Sequence, residues 1–295
     1  MRWRRLLAAA AGGAALWLFG VWPPPVWWRT HWPEQSAMMR RAPASRAQPA
    51  PSHRPAGARY DPTPLADIAP ILQRLVILAE DSRFRTHCGI DPAEIADAIG
   101  LAPDAGLRET LATVWRRRDR IRGASTITQQ LAKNLYLSPT RNPLRKVKEM
   151  ATAFRLEAAL SKDRILELYL NLAELGSGVW GVTAASGAYF GVRPRQLTID
   201  QAASLAATLP HPRSSNPAYR PARMLARRGL ILARYHGADV TIPRSDELAA
   251  AIDSIVPPTI DLPLVPPLLD SLFDSVRVAP PGPDTTGAPR DTAPS

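Results

Sequence analysis

The chain is poor in cysteine and in lysine, and it contains no convincing run of alternating apolar residues. Cys88 is the single cysteine among 295 residues, so an internal disulfide is excluded, and a lone thiol suits either redox compartment. Only Lys133, Lys146, Lys148 and Lys162 are lysines among 37 basic residues. The formal charge of +11 is therefore carried mostly by arginine. Arginine grips planar oxyanions in a bidentate fork, which points to phosphate in a partner: nucleic acid, anionic lipid or lipid diphosphate. His31, His53, His211 and His236 lack metal-ligand spacing, so no metal ligands are assigned. Without alternating strands the fold class is mainly α.

Four regions follow from composition. Arg2, Arg4 and Arg5 precede the uncharged stretch Leu6 to Trp22, which ends at Pro23-Pro24-Pro25. The stretch is short against the roughly 20 residues of a spanning helix. No small-x-small cleavage site follows it, so residues 1–32 are expected to be a basic start and an uncleaved N-terminal transmembrane helix. The basic start places the N-terminus in the cytoplasm and the remainder outside. Residues 33–60, rich in Pro, Ala, Ser and Arg, read as a flexible tether, 61–240 as the folded domain, and 241–295 as a proline-rich, acidic, loosely ordered tail. Residues 115–170 carry a net +8 and residues 240–295 a net −5, so basic charge concentrates within the domain.

Helical signals fill the domain. Leu65, Ile68, Leu72, Leu75, Val76 and Ala79 share one face and lead into Glu80. Asp91-Pro92 and Asn142-Pro143 are helix starts, the second with Leu144, Val147, Ala151, Phe154 and Ala158 as its expected buried stripe. Ser161 caps a helix with Ile165, Leu168, Tyr169 and Leu172 inside. Ile199–Leu209 and Arg223–His236 complete the set, while the basic stretch 100–122 reads as a loop or a short solvated helix.

Three blocks can carry chemistry. In Glu80-Asp81-Ser82-Arg83-Phe84-Arg85-Thr86-His87-Cys88-Gly89, a carboxylate ends an apolar helix. The negative helix terminus and desolvating walls both make its anion a stronger base. Arg83 and His87 oppose that effect or order the turn. In Arg122-Gly123-Ala124-Ser125-Thr126-Ile127-Thr128-Gln129-Gln130-Leu131-Ala132-Lys133, crowded hydroxyls and amides need partners that a sugar cleft supplies. In Arg145-Lys146-Val147-Lys148-Glu149, helical spacing rings one carboxylate with cations. Singly, each block also has a plain structural reading: a solvated helix end, a helix cap, a surface ion-pair cluster. Lys162-Asp163-Arg164 to Asn171 and Arg227-Arg228 read as structural, a core helix and a basic helix face.

In this order, the segments EDSRFRTHCGID, RGASTITQQLAKN, RKVKE, KDRILELYLN and RR resemble the family-51 glycosyltransferases, the peptidoglycan polymerases. The similarity runs from about Leu75 to about Tyr235. RIRGASTITQQLAKNLYL and YLNLAELGSGVWGV look most like the monofunctional transglycosylases of Gram-negative bacteria. None of the four lysines has a serine three residues before it, so the transpeptidase motif of bifunctional relatives is missing. The resemblance implies a lysozyme-like helical domain on the periplasmic face of the inner membrane. It polymerises lipid II into β-1,4-linked glycan strands with inversion and releases undecaprenyl diphosphate. Glu80 and Glu149 match the catalytic carboxylates. Arg83, Phe84, Ser125, Gln129, Gln130, Lys133, Arg141 and Lys148 match the substrate-binding positions. No cofactor is required by the resemblance, a divalent metal is stimulatory in some members, and the partners are lipid II, the growing lipid-linked chain, the membrane and other wall-synthesis proteins. Asp97 departs from the pattern, where several relatives have a basic residue; the stretch 103–121 is longer than the resemblance implies, and the acidic tail has no counterpart. The competing classes are a lysozyme-like lytic transglycosylase, a non-catalytic scaffold of the wall-synthesis machinery, and a nucleic-acid binder resting on charge alone.

Overall fold

In the computed structural model, which describes residues 2–41, 60–101, 125–137 and 143–242 with single positions between 102 and 124, the order of elements is helical almost throughout. It runs α1 (Arg2–Phe19), α2 (Ala37–Arg41), α3 (Pro70–Glu80), α4 (Pro92–Ile99), α5 (Ile127–Tyr136), α6 (Pro143–Ala159) and α7 (Lys162–Leu172). A small hairpin follows, β1 (Glu174–Gly176) and β2 (Val179–Trp180), and then α8 (Gly181–Phe190), α9 (Ile199–Thr208) and α10 (Ala222–Tyr235). These elements lie within one compact unit, Met1–Ile252.

Local chemistry fixes the helix starts. Pro70, Pro92 and Pro143 open helices with a preset φ and no amide to orphan. The Asp91 carboxylate accepts the Glu94 amide at 3.1 Å, and the Ser161 hydroxyl accepts that of Arg164 at 3.2 Å. Thr126 and Gln129 form a reciprocal capping box at α5, as Thr198 and Gln201 do at α9. The expected start at Ser161 and the expected cap at Asp91 are both present.

The core wraps α7, whose Ile165, Leu166, Leu168, Tyr169, Leu170 and Leu172 are all buried. A helix apolar on nearly every side belongs at the centre. Leu72, Leu75 and Val76 of α3 and Ile127, Leu131 and Leu135 of α5 join the same cluster. α9 packs on α3 with Ala202, Ala203, Ala206 and Ala207 buried, side chains small enough for close backbone approach. The hairpin pairs Glu174 with Trp180 in antiparallel register. It turns back into the domain through Gly181, at φ +78°, where a Cβ would stand 2.4 Å from the Asn171 carbonyl oxygen.

The face of α6 is opposite to the expected one. Leu144, Val147 and Phe154 are 60, 50 and 51 % exposed, whereas Glu149, Thr152, Ala153 and Leu156 are buried. The outward stripe instead meets the end of α1, and Phe19, Val147, Met150, Ala151, Phe154, Arg155 and Ala158 line an apolar groove of about 520 Å³ between them. A carboxylate takes the inner face because the cations around it come along on the same helix.

The N-terminal segment is docked on the domain. Trp28 is buried, its indole Nε1 donates to the Tyr136 hydroxyl at 2.6 Å, and that hydroxyl donates to the Pro23 carbonyl at 2.8 Å. Arg164 donates to the carbonyls of Trp28 and His31, each at 2.7 Å, with Trp32 stacked 4.3 Å from its guanidinium carbon. Part of the expected tether is packed as well, with Pro33, Ser36 and Ala37 buried. The rest of it, 42–59, lies outside the described residues, as do 243–295 and nearly all of 103–121. α1 is 18 residues long, and no described helix is long and apolar enough to cross a membrane.

Candidate active site

Glu80 closes α3, and two helices bring groups to its carboxylate, with a third behind one of them. Arg227 of α10 donates through one Nη2 to the Ala79 carbonyl at 3.0 Å and to Glu80 Oε1 at 3.1 Å. Gln130 of α5 donates its amide Nε2 to Glu80 Oε2 at 3.0 Å, and Tyr169 of α7 donates its hydroxyl to Gln130 Oε1 at 3.0 Å. The side chains of Glu80 and Arg227 are only 9 and 6 % exposed, so the charge pair is largely withdrawn from water. Both carboxylate oxygens are thus fixed by charged or amide donors, and each keeps a lone pair for an incoming hydroxyl. Burial raises the Tyr169 phenol well above its ordinary range, with Glu80 adding to the effect and Arg227 opposing it.

The second carboxylate is Glu149, held as its spacing predicts. Arg145 Nη1 reaches Oε2 at 3.0 Å and Lys146 Nζ reaches Oε1 at 2.5 Å. Lys146 also donates to Ser125 Oγ at 2.8 Å, tying α6 to the segment that enters α5. Lys133, half-buried on α5, lies within electrostatic reach of both Glu149 and Glu80. Burial pushes its ammonium below the usual lysine range; Arg145 and Lys146 push the same way, and the two carboxylates oppose them. The result is two buried carboxylates in unlike surroundings with a cation responding to both.

Beneath Glu80 lies a hydrogen-bonded turn. Asp81 accepts the Ile127 amide at the start of α5 at 3.0 Å and His87 Nε2 at 2.9 Å. The Gly89 amide donates to His87 Nδ1 at 3.2 Å, so that nitrogen is the acceptor and Nε2 carries the proton. Thr126 Oγ1 donates to the Gly89 carbonyl at 2.7 Å. His87 therefore orders the turn. Asp81, His87 and Asp91 bring potential metal-ligand atoms within 4.8 Å of one another. All three are engaged in hydrogen bonds, since Asp91 takes Arg83 Nε at 2.7 Å and the Glu94 amide, and the two His87 nitrogens are engaged as above. These bonds lock the turn.

Other expected site residues separate into three groups. Gln130, Ser125 and Lys133 gather around the two carboxylates. Phe84 and Gln129 do not face a cleft: Phe84 is fully buried in the core, and Gln129 is 2 % exposed with Oε1 accepting the Thr126 amide. Both support the site from behind, and an inaccessible side chain cannot touch a substrate. Arg83 is drawn to α4, where Asp91, Glu94 and Asp97 lie 2.7, 3.4 and 3.9 Å away. Lys148 points toward α1, its Nζ 5.1 Å from the centre of the Trp17 ring. Arg141 lies outside the described residues.

Arg227 and Tyr169, read from the sequence as structural, join the group around Glu80. A signal for the first existed: Met224, Arg227 and Ile231 fall on one face of α10, and all three are buried. An arginine in register with an apolar stripe needs an anion opposite it.

Comparison with known proteins places this geometry. The family described as Transglycosylase matches residues 51–236, more than half of the chain. A biosynthetic peptidoglycan transglycosylase of Thiobacillus denitrificans is 36 % identical over 245 residues, 82 % of this chain and 98 % of that protein. One of Bordetella pertussis is 41 % identical over 198 residues, 67 % of this chain and 76 % of that protein. Penicillin-binding protein 1A of Escherichia coli is 43 % identical over 176 residues, 60 % of this chain but 19 % of its own length. The matched span holds Glu80, Glu149, Gln130, Lys133, Tyr169 and Arg227 together, and the chain belongs to the transglycosylase family.

Proposed function

We propose that the chain is a monofunctional peptidoglycan glycosyltransferase, polymerising lipid II into β-1,4-linked glycan strands with inversion and releasing undecaprenyl diphosphate. The observation that carries this reading is the pair of buried carboxylates, Glu80 fixed by Arg227 and Gln130, and Glu149 clasped by Arg145 and Lys146. Glu80 takes the proton of the acceptor sugar's 4-hydroxyl as that oxygen bonds to the anomeric carbon of the growing chain. The bond from that carbon to the diphosphate breaks, and its electron pair leaves on the phosphate oxygen. Lys133 and the cations around Glu149 meet the charge that develops there, in a setting drier than bulk water, where preorganised cations act most strongly. Ser125 and Gln130 line the donor side. Divalent cations act, in this scheme, on the diphosphate itself, and no other cofactor enters.

The monofunctional form is supported by the relatives, since the chain spans nearly all of the Thiobacillus protein and a fifth of the penicillin-binding protein. In the same reading α1 anchors the chain as a single-pass segment of the inner membrane, with the domain on the periplasmic face. Supporting this are the exposed Leu6, Leu7, Leu16 and Trp17 of α1 and the outward Leu144, Val147 and Phe154 of α6. Other wall-synthesis proteins meet it in the membrane, and nucleic acid is not a partner.

Incubating the full chain with labelled lipid II, and separating products by length, tests the reading. Polymer is expected, and Glu80→Gln is expected to lower its rate roughly 10²–10⁴-fold with helicity unchanged by circular dichroism. A variant polymerising at the native rate would remove Glu80 as base. Cleavage of finished glycan without polymer formation would make the enzyme lytic.

A further inference from the structure

We propose that Tyr169 is a positioning residue for the transfer, acting through Gln130 to present the Glu80 carboxylate as a fixed proton acceptor. The inference rests on the reading of Glu80 as general base. Tyr169 is 1 % exposed at the centre of the fold, and its hydroxyl donates to Gln130 Oε1 at 3.0 Å. A side-chain amide has two orientations, and the Glu80 carboxylate, which only accepts, selects the one with Nε2 toward Oε2 at 3.0 Å. Oε1 is then turned to the phenol, whose hydroxyl donates to it and ties the amide to the core. A core tyrosine thereby holds in place the donor that faces the base.

The phenol is suited to that task because it does not titrate in the working range. Burial raises it well above the ordinary tyrosine value, Glu80 and Asp81 add to this, and Arg227 opposes it. The charged groups that act on Glu80 come from several elements. Arg227 reaches it from α10 and Lys133 acts from α5, while Asp81 adjoins it and is itself tied to His87. α9, packed on α3, buries only Ala202, Ala203, Ser204, Leu205, Ala206, Ala207 and Thr208, none of which titrates. Tyr169→Phe removes one hydroxyl and leaves every charge in place, so its effect on the base is carried by Gln130 alone.

The experiment is the pH dependence of kcat/KM for lipid II polymerisation by the full chain. With the amide released, the Glu80 anion loses a guaranteed donor. The acidic limb for Tyr169→Phe is therefore expected to move up by roughly 0.5–1 pH unit. The loss is about 3–10-fold on that limb and vanishes toward alkaline pH, with KM unchanged. Gln130→Leu should move the limb equally, and the double variant no further, since both act along one chain. A uniform loss at all pH values, with the limb in place, would overturn the inference and make Tyr169 a packing residue. Additive shifts in the double variant would also overturn it. Glu80→Gln separates the two levels: if it is inactive while the Tyr169→Phe limb stays put, only the positioning role fails. If it polymerises at the native rate, the general-base reading fails first.

Discussion

Removing the guanidinium of Arg227 would leave the largely withdrawn Glu80 carboxylate with one amide donor, no ion-pair partner in contact and only the more distant Lys133 as counter-charge. An uncompensated buried charge costs about 3–5 kcal/mol, more than most single contacts. Arg227→Met is therefore expected to lower the urea midpoint sharply, and Glu80→Gln placed on top of it to restore most of the loss. Equal stability of the single and double variants would show that the ion pair contributes nothing to the fold. Residue types carried part of this in the sequence. The partners of Glu149 were legible because i+3 and i+4 spacing on a helix fixes them, whereas a role for Glu80 and Glu149 rested on the company of the other blocks in order. Arg227 was not legible, since two adjacent arginines read as a solvated face until the register with Met224 and Ile231 is followed. Phe84 and Gln129 were assigned to the substrate because a motif does not tell a side chain that touches a ligand from one that holds up the turn behind it.

At the scale of elements, the turn from α3 to α4 depends on one buried carboxylate. Burial favours the neutral form of Asp91, but the hydrogen bond from Arg83, the Glu94 amide and the nearby positive charge outweigh it, so its folded value lies below the ordinary one. A depressed folded value means stability that is present above the unfolded value of about 3.9 and lost as pH falls through the folded value. Melting temperature measured from neutral to strongly acidic pH should therefore fall more steeply below about pH 4 in the native chain than in Asp91→Asn. That variant should also be the less stable of the two at neutral pH. Parallel curves would separate the cap from acid unfolding. Helix starts were legible here and at Ser161 because proline and short polar caps act over three or four residues. The facing of α6 was not. A stripe of apolar residues tells which side of a helix avoids water, and both the core and the surface beside α1 satisfy it. Only the cations that accompany Glu149 indicate which side turns inward.

Across the whole molecule, the exposed apolar residues of α1 and the outward stripe of α6 lie on adjoining elements, with Arg4 and Arg5 at the start of α1. The full chain is expected to sediment with anionic phospholipid vesicles. Phe154→Glu, which withdraws one large apolar side chain and adds a negative charge, should weaken that association about 10-fold. Unchanged binding by the variant, with complete release in high salt, would leave electrostatics as the sole attraction. Overall helical class was readable from periodicity. The docking of 20–41 was not, because it depends on carbonyls and indoles far apart in sequence, such as Trp28 with Tyr136.

Tyr136 is the last residue of α5, and Gln130 and Lys133 stand on the turns before it. Six helical rises, about 9 Å, separate the hydroxyl-bearing end from Gln130. In mechanical terms α5 is a short stiff rod with the N-terminal segment clasped at one end and the reacting groups mounted along its length. Displacement of that segment at Tyr136 would be felt, along the rod, at the amide that faces Glu80.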